Sequence, residues 1–84
     1  MSEIDVLYFA WVRERIGLPR ERVTTGAATV AALVAELAAR EDRYAAAFAD
    51  VSALRVALDQ DLADFEAPLD GVREVAFFPP MTGG

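Results

Sequence analysis

The last four residues, Met81-Thr82-Gly83-Gly84, offer the clearest chemistry in this chain of 84 residues. Glycine has no side chain, so Gly83 and Gly84 can thread a narrow channel and take backbone angles closed to other residues. A terminal glycine carboxylate is also the least hindered acyl group a protein can present. Pro79-Pro80, immediately upstream, is expected to hold the tail stiff and extended, so that it projects from the sheet edge. Such a tail suits insertion into another protein's active site, with the Gly84 carboxylate as the reactive group. A Gly-Gly ending alone fits a frayed terminus equally well.

The other side chains leave little room for catalysis. The chain has no cysteine and no histidine, and all eight of its positive charges are arginines. Thiolate, zinc-cluster and Schiff-base chemistry are therefore excluded, and so is the commonest general base. The two serines, Ser2 and Ser52, have no histidine or lysine to activate them. Asp59, Asp61 and Asp64 stand close together, but the segment lacks the glycine and terminal glutamate of a calcium loop. They read as a solvated acidic turn.

Length allows one small domain with a single modest core, and a hydrophobic content of 55% is ample to fill it. A net charge of −6 repels nucleic acid and anionic lipid and suits a partner with a basic face. The N-terminus, Met1-Ser2-Glu3-Ile4-Asp5, is acidic where a secretory signal would be basic. The longest apolar run, from Ala27 to Ala35 with one threonine, falls far short of the ~20 residues a membrane span needs. A soluble, cytoplasmic protein is expected.

The elements that must position the tail follow from periodicity. Ile4 to Phe9 and Arg20 to Thr25 read as strands, joined through a short connection that Gly17 and Pro19 close. Thr29 is a plausible N-cap, after which Val30, Leu33, Val34 and Leu37 form one apolar helical stripe. Glu36 and Arg40 are spaced as an i, i+4 pair on its solvated side. Arg43 to Ala53 is a mixed stretch, with Tyr44 and Phe48 packing under the helix end. Leu54 to Leu58 reads as a third strand, Asp59-Gln60-Asp61 as a turn, and Leu62 to Phe65 as a short strand. Arg73 to Phe78 is the last strand, stopped by two prolines that cannot continue a ladder. The order describes an α+β roll with a mixed sheet of four to five strands on one main helix. Residues 1–78 are expected to form the domain, and residues 79–84 its extended tail with a flexible Gly-Gly end.

Alternation assigns faces to the strands. Ile4, Val6 and Tyr8 share one side of the first strand, and Asp5, Leu7 and Phe9 share the other. In the last strand Val75 and Phe77 oppose Glu74, Ala76 and Phe78. The sides carrying Asp5 and Glu74 should face water, because unpaired carboxylates are costly to bury. Phe9 and Phe78 then form an exposed aromatic patch, which points to a partner.

The run Phe77-Phe78-Pro79-Pro80-Met81-Thr82-Gly83-Gly84 closely resembles the C-terminal signature of the small, sulfur-carrier subunits of molybdopterin synthase. The likeness extends through Asp64 to Leu69, Asp70-Gly71 and Glu74-Val75-Ala76, and returns in Val6 to Ala10 and Val12-Arg13-Glu14. It covers essentially the whole chain. The resemblance implies a ubiquitin-like β-grasp fold and a carrier without catalytic activity of its own. It implies that an activating enzyme uses ATP to adenylate the Gly84 carboxylate, which a persulfide donor then converts to a thiocarboxylate. It further implies that the segment Pro79, Pro80, Met81, Thr82, Gly83 enters a large catalytic subunit, in a heterotetramer. There the sulfur passes to cyclic pyranopterin monophosphate and builds the molybdopterin dithiolene. Phe9, Leu62 and Phe78 match the family's hydrophobic contact with that subunit. No cofactor, metal, nucleic acid or membrane is expected on this chain. Two departures stand out: Asp59 where asparagine is common, and Trp11 where a polar residue is usual.

Three other readings remain open at this level. The chain could carry sulfur for another pathway, act as a ubiquitin-like modifier joined to target lysines through Gly84, or serve as a purely structural interaction domain. The Phe-Phe-Pro-Pro segment argues against the thiamine type of carrier.

Overall fold

The computed structural model describes residues 2–80. Five strands appear: β1 (Ser2–Tyr8), β2 (Arg20–Thr25), β3 (Arg55–Leu58), β4 (Asp61–Ala63) and β5 (Glu74–Phe78). Between them lie α1 (Ala10–Ile16), α2 (Val30–Arg40), α3 (Asp42–Ala47) and a single 3-10 turn (Val51–Ala53). The sheet order is β2-β1-β5-β3-β4. The β1–β5 pair at its centre is parallel and the other pairs are antiparallel. A hairpin, a crossover helix and a returning central strand make this a mixed β-grasp roll, as expected.

One face of the sheet is closed by the helices. Ile4, Val6 and Tyr8 of β1, Val56 of β3, and Val75 and Phe77 of β5 are buried against Val30, Leu33, Val34 and Leu37 of α2. The aromatic centre is Phe77. Its ring meets Phe48 edge-on at 4.9 Å and stacks with Tyr8 and Phe65, each at 6.3 Å.

The first turn of α2 shows how local chemistry and tertiary contact share the capping. The Thr29 hydroxyl accepts from the Ala32 N–H, as its N-cap role requires. The N–H groups of Val30 and Ala31 donate instead to the carbonyls of Ala67 and Phe65. The loop after β4 thereby satisfies orphan donors that no residue of the helix can reach.

Several sequence expectations need correction. The mixed stretch after α2 contains a true helix, α3, which the alanine-rich sequence conceals by lacking a clear apolar stripe. Tyr44 and Phe48 are buried there, as foreseen. Glu36 does not pair with Arg40, because the Thr25 hydroxyl donates to its carboxylate at 2.7 Å and 2.9 Å. Buried Thr25 needs a polar partner more than an exposed arginine does. The fourth strand stops at Ala63, so Phe65 turns inward to pack on the core. Among the described residues, no helix is long and apolar enough to cross a membrane.

The β3–β4 hairpin has a two-residue loop, Asp59-Gln60, with φ of 50° and 75° at its two positions. That is the left-handed pairing of a type I′ turn. The Asp59 Oδ1 accepts from the N–H groups of both Arg73 and Glu74 at 3.0 Å, clamping the hairpin to the start of β5. Asp59→Asn keeps a carbonyl acceptor and tolerates the left-handed angle, so its urea midpoint should stay close to wild type. Asp59→Ala loses both features and should cost about 1–3 kcal/mol in the same measurement. Equal midpoints for the two variants would show that the clamp is unimportant.

Candidate functional site

The solvent face of the sheet is apolar where its helical face is core. Register places Leu7 of β1, Ala76 of β5, Ala57 of β3 and Leu62 of β4 in one row across four strands. Phe78 lies two residues further along β5, opposite Arg55, and Phe9 follows directly after β1. The Phe9 N–H donates to the Phe77 carbonyl at 3.1 Å, which extends the parallel pairing by one step. Phe9 is 47% exposed and Leu62 73%, whereas Phe78 is half-buried between its neighbours. Strand spacing puts Leu62 about 10 Å from the β5 row. Phe9, Phe78 and Leu62 therefore share one face, with Leu7, Ala57 and Ala76 filling the ground between them.

The position of Phe9 depends on its successor. Ala10 takes φ 54°, a left-handed angle that costs an alanine about 1–2 kcal/mol. This bend ends β1 and turns the chain into α1, leaving Phe9 extended as the N-cap residue. No sequence signal marks the bend, since alanine rarely adopts it. Arg55 was likewise missed at the sequence level, because its place beside Phe78 depends on the β3–β5 register.

Acids frame the other end of the face. Asp5 and Glu74 are paired in register. Asp5 also bonds to Arg20 at 3.3 Å and Arg22 at 3.2 Å on the neighbouring strand. These exposed contacts contribute little to stability. Asp59 and Asp64 spend carboxylate oxygens on backbone N–H groups, as an acidic turn does.

The tail emerges at the aromatic end. β5 stops at Phe78, and Pro79 and Pro80 follow, both half-buried. Because β5 lies between β1 and β3, the chain leaves from the end of a central strand and not from a lateral edge. Met81, Thr82, Gly83 and Gly84 lie outside the described residues.

Beneath the face sits a polar cluster in the core. The Tyr8 and Tyr44 hydroxyls both donate to Glu21 Oε2, at 2.8 Å and 2.6 Å. Burial first, then the hydrogen bond to Glu21, raises both phenols, with Tyr44 pushed up to about 12 and Tyr8 shifted the same way. A phenol raised in the folded state contributes its full stability below its ordinary value of 10.0. That contribution drains away as pH climbs from there towards about 12. The urea midpoint should accordingly fall across this window in wild type, and more gently in Tyr44→Phe. Parallel pH profiles for the two proteins would contradict the assignment.

The comparisons with known proteins agree with this geometry. The model for the ThiS family matches residues 6–84, nearly the whole chain. The chain belongs to the ThiS family. One relative is the molybdopterin synthase sulfur carrier subunit of Escherichia coli K12. It is 47% identical over 81 residues, covering 96% of this chain and 99% of the relative. The protein of the same name from Haemophilus influenzae is 38% identical over the same coverage. Among solved structures, SAMP1, a small archaeal modifier protein of Haloferax volcanii, superposes with a TM-score of 0.76. At 22% identity over 99% of this chain and all of the other, it establishes the shared ubiquitin-like fold alone. ThiS membership accords with a sulfur-carrier role.

Proposed function

We propose that this chain is the sulfur carrier subunit of a molybdopterin synthase and carries its sulfur on the Gly84 carboxylate. The observation that carries this reading is its 47% identity to the Escherichia coli carrier subunit across nearly the full length of both chains. The apolar face beside the tail's point of departure supports it.

The chemistry begins with a poor electrophile. A carboxylate oxygen of Gly84 attacks the α-phosphorus of ATP on an activating enzyme, releasing pyrophosphate and leaving an acyl adenylate. A persulfide sulfur then attacks the carbonyl and expels AMP. A thiol cleaves the remaining S–S bond, which leaves the terminal thiocarboxylate. With no lysine, cysteine or histidine, no side chain of the carrier can readily capture the activated acyl group. ATP and the nucleophiles belong to the partners, and this chain binds no cofactor in the process.

Delivery follows from the architecture. The face of Phe9, Phe78 and Leu62 docks on the large catalytic subunit, burying apolar surface. Pro79 and Pro80 direct Met81, Thr82, Gly83 and Gly84 into its active site, where the sulfur passes to cyclic pyranopterin monophosphate. Two sulfurs make one dithiolene, which suits a heterotetramer with two carriers.

Intact-mass measurement after incubation with ATP, the activating enzyme and a sulfur donor tests the proposal. Exchange of one oxygen for sulfur in the full chain is expected. An unchanged mass, under conditions that convert the Escherichia coli relative, would overturn it. High-mass conjugates on lysines of other proteins would instead indicate a modifier.

A further inference from the structure

We infer that the outer edge of β4 is a docking site for an extended, basic segment of a partner protein, which adds to the sheet as a sixth strand. The inference shares Leu62 with the face described above but requires no sulfur chemistry.

The backbone comes first. In a two-residue hairpin the residues flanking the loop form a hydrogen-bonded pair, so Leu58 and Asp61 bond to each other. Ala57 and Leu62 are then a non-hydrogen-bonded pair. On the β3 side this assignment is confirmed independently, because the Asp59 N–H donates to the Glu74 carbonyl at 2.9 Å, and alternation makes Ala57 bond to Ala76. The N–H and C=O of Leu62 must therefore point away from β3, where the sheet ends. This edge offers one donor and one acceptor, with a side chain 73% exposed between them.

The flank of the edge supplies a second feature. On the helical side of β4 a groove of about 410 Å³ is lined chiefly by Val51, Leu54, Ala63 and Phe65, with Arg55 and Asp64 at its rim. Val51 is 40% exposed there. A strand paired at Leu62 would set one side chain beside Leu62 on the solvent face. The next side chain along would point to the opposite face and enter the groove.

Charge selects the occupant. Asp59 and Asp61 stand at one end of this edge and Asp64 and Glu66 follow at the other, four carboxylates within eight positions and no arginine among them. A second copy pairing β4 to β4 would bring two sets of Asp59, Asp61, Asp64 and Glu66 together, and like charges oppose that. A partner strand with an apolar centre and basic ends meets both the groove and the acids.

The test uses the isotopically labelled full chain and two blocked pentapeptides, Arg-Val-Leu-Val-Arg and Glu-Val-Leu-Val-Glu. The basic peptide should shift amide resonances around Leu62, Leu54 and Phe65 and slow hydrogen exchange at the Leu62 amide. The acidic peptide should bind at least about fivefold more weakly, and Asp61→Arg/Asp64→Arg should reverse that preference. Leu62→Pro removes the outward N–H and the exposed side chain but no hydrogen bond to β3, so it should keep the native fold and lose the basic peptide. Leu62→Ala should keep part of the binding, because it retains the backbone pairing. No response at Leu62, equal affinity for both peptides, or shifts that depend on protein concentration alone would each overturn the inference. None of these outcomes bears on thiocarboxylate formation, so the carrier proposal stands or falls separately.

Discussion

Deleting Gly84 should abolish thiocarboxylate formation while leaving the thermal midpoint of the protein unchanged. The deletion moves the terminal carboxylate back by one residue, about 3.3–3.6 Å along an extended chain. Misplacing a reacting group by about 1 Å can already cost about 10²-fold in rate, so the loss should exceed that factor. No other group can substitute, because the chain has no cysteine, histidine or lysine to accept sulfur or an acyl group. Stability should not change, since every core residue among the described ones lies between Ile4 and Phe77. The decisive pair of measurements is intact mass after the activation reaction and the melting curve of the same sample. Full conversion of the deletion variant to a sulfur-bearing product would mean that the reactive group lies elsewhere.

Adjacent phenylalanines should respond in opposite ways to truncation. Phe77 is 0% exposed and contacts Tyr8, Phe48 and Phe65. Phe77→Ala removes that aromatic centre and leaves a cavity, at a cost of about 3–5 kcal/mol. A domain of this size has only about 5–15 kcal/mol in total, so the midpoint should fall by tens of degrees or the fold should fail. Phe78→Ala acts on the solvent face, where its ring lies between Arg55 and the exposed Phe9. Its melting point should fall by only a few degrees, whereas association with the large subunit should weaken about tenfold or more, the scale of an aromatic anchor. Calorimetry on both variants, with titration of Phe78→Ala into the large subunit, separates core from contact. Comparable destabilisation of the two would show that the face assignment of β5 is mistaken.

Much of this was legible in the residues. Strict alternation in Ile4 to Tyr8 and Glu74 to Phe78 placed the core and solvent sides correctly, because one side of each strand carries a carboxylate that resists burial. The stripe Val30, Leu33, Val34 and Leu37 and the Thr29 cap defined α2 for equally local reasons. Helix α3 was hidden because Asp42–Ala47 is too short and too rich in alanine to show a period. The Glu36–Arg40 pair failed because helical spacing says nothing about Thr25, which approaches from strand β2.

The sequence by itself determined the chemistry on offer: a Gly-Gly run after a diproline, and no cysteine, histidine or lysine side chain that could compete with it. Those are properties of composition and order, and no folding is needed to state them. The tertiary structure alone decided what surrounds them. It placed β5 in the middle of the sheet, between β1 and β3. It brought Arg55 to Phe78, joined the Phe9 N–H to the Phe77 carbonyl, and left the Leu62 edge open. Each of these depends on pairing between segments far apart in the chain. Pairing is set by the summed burial of the whole core, which no local run of residues encodes.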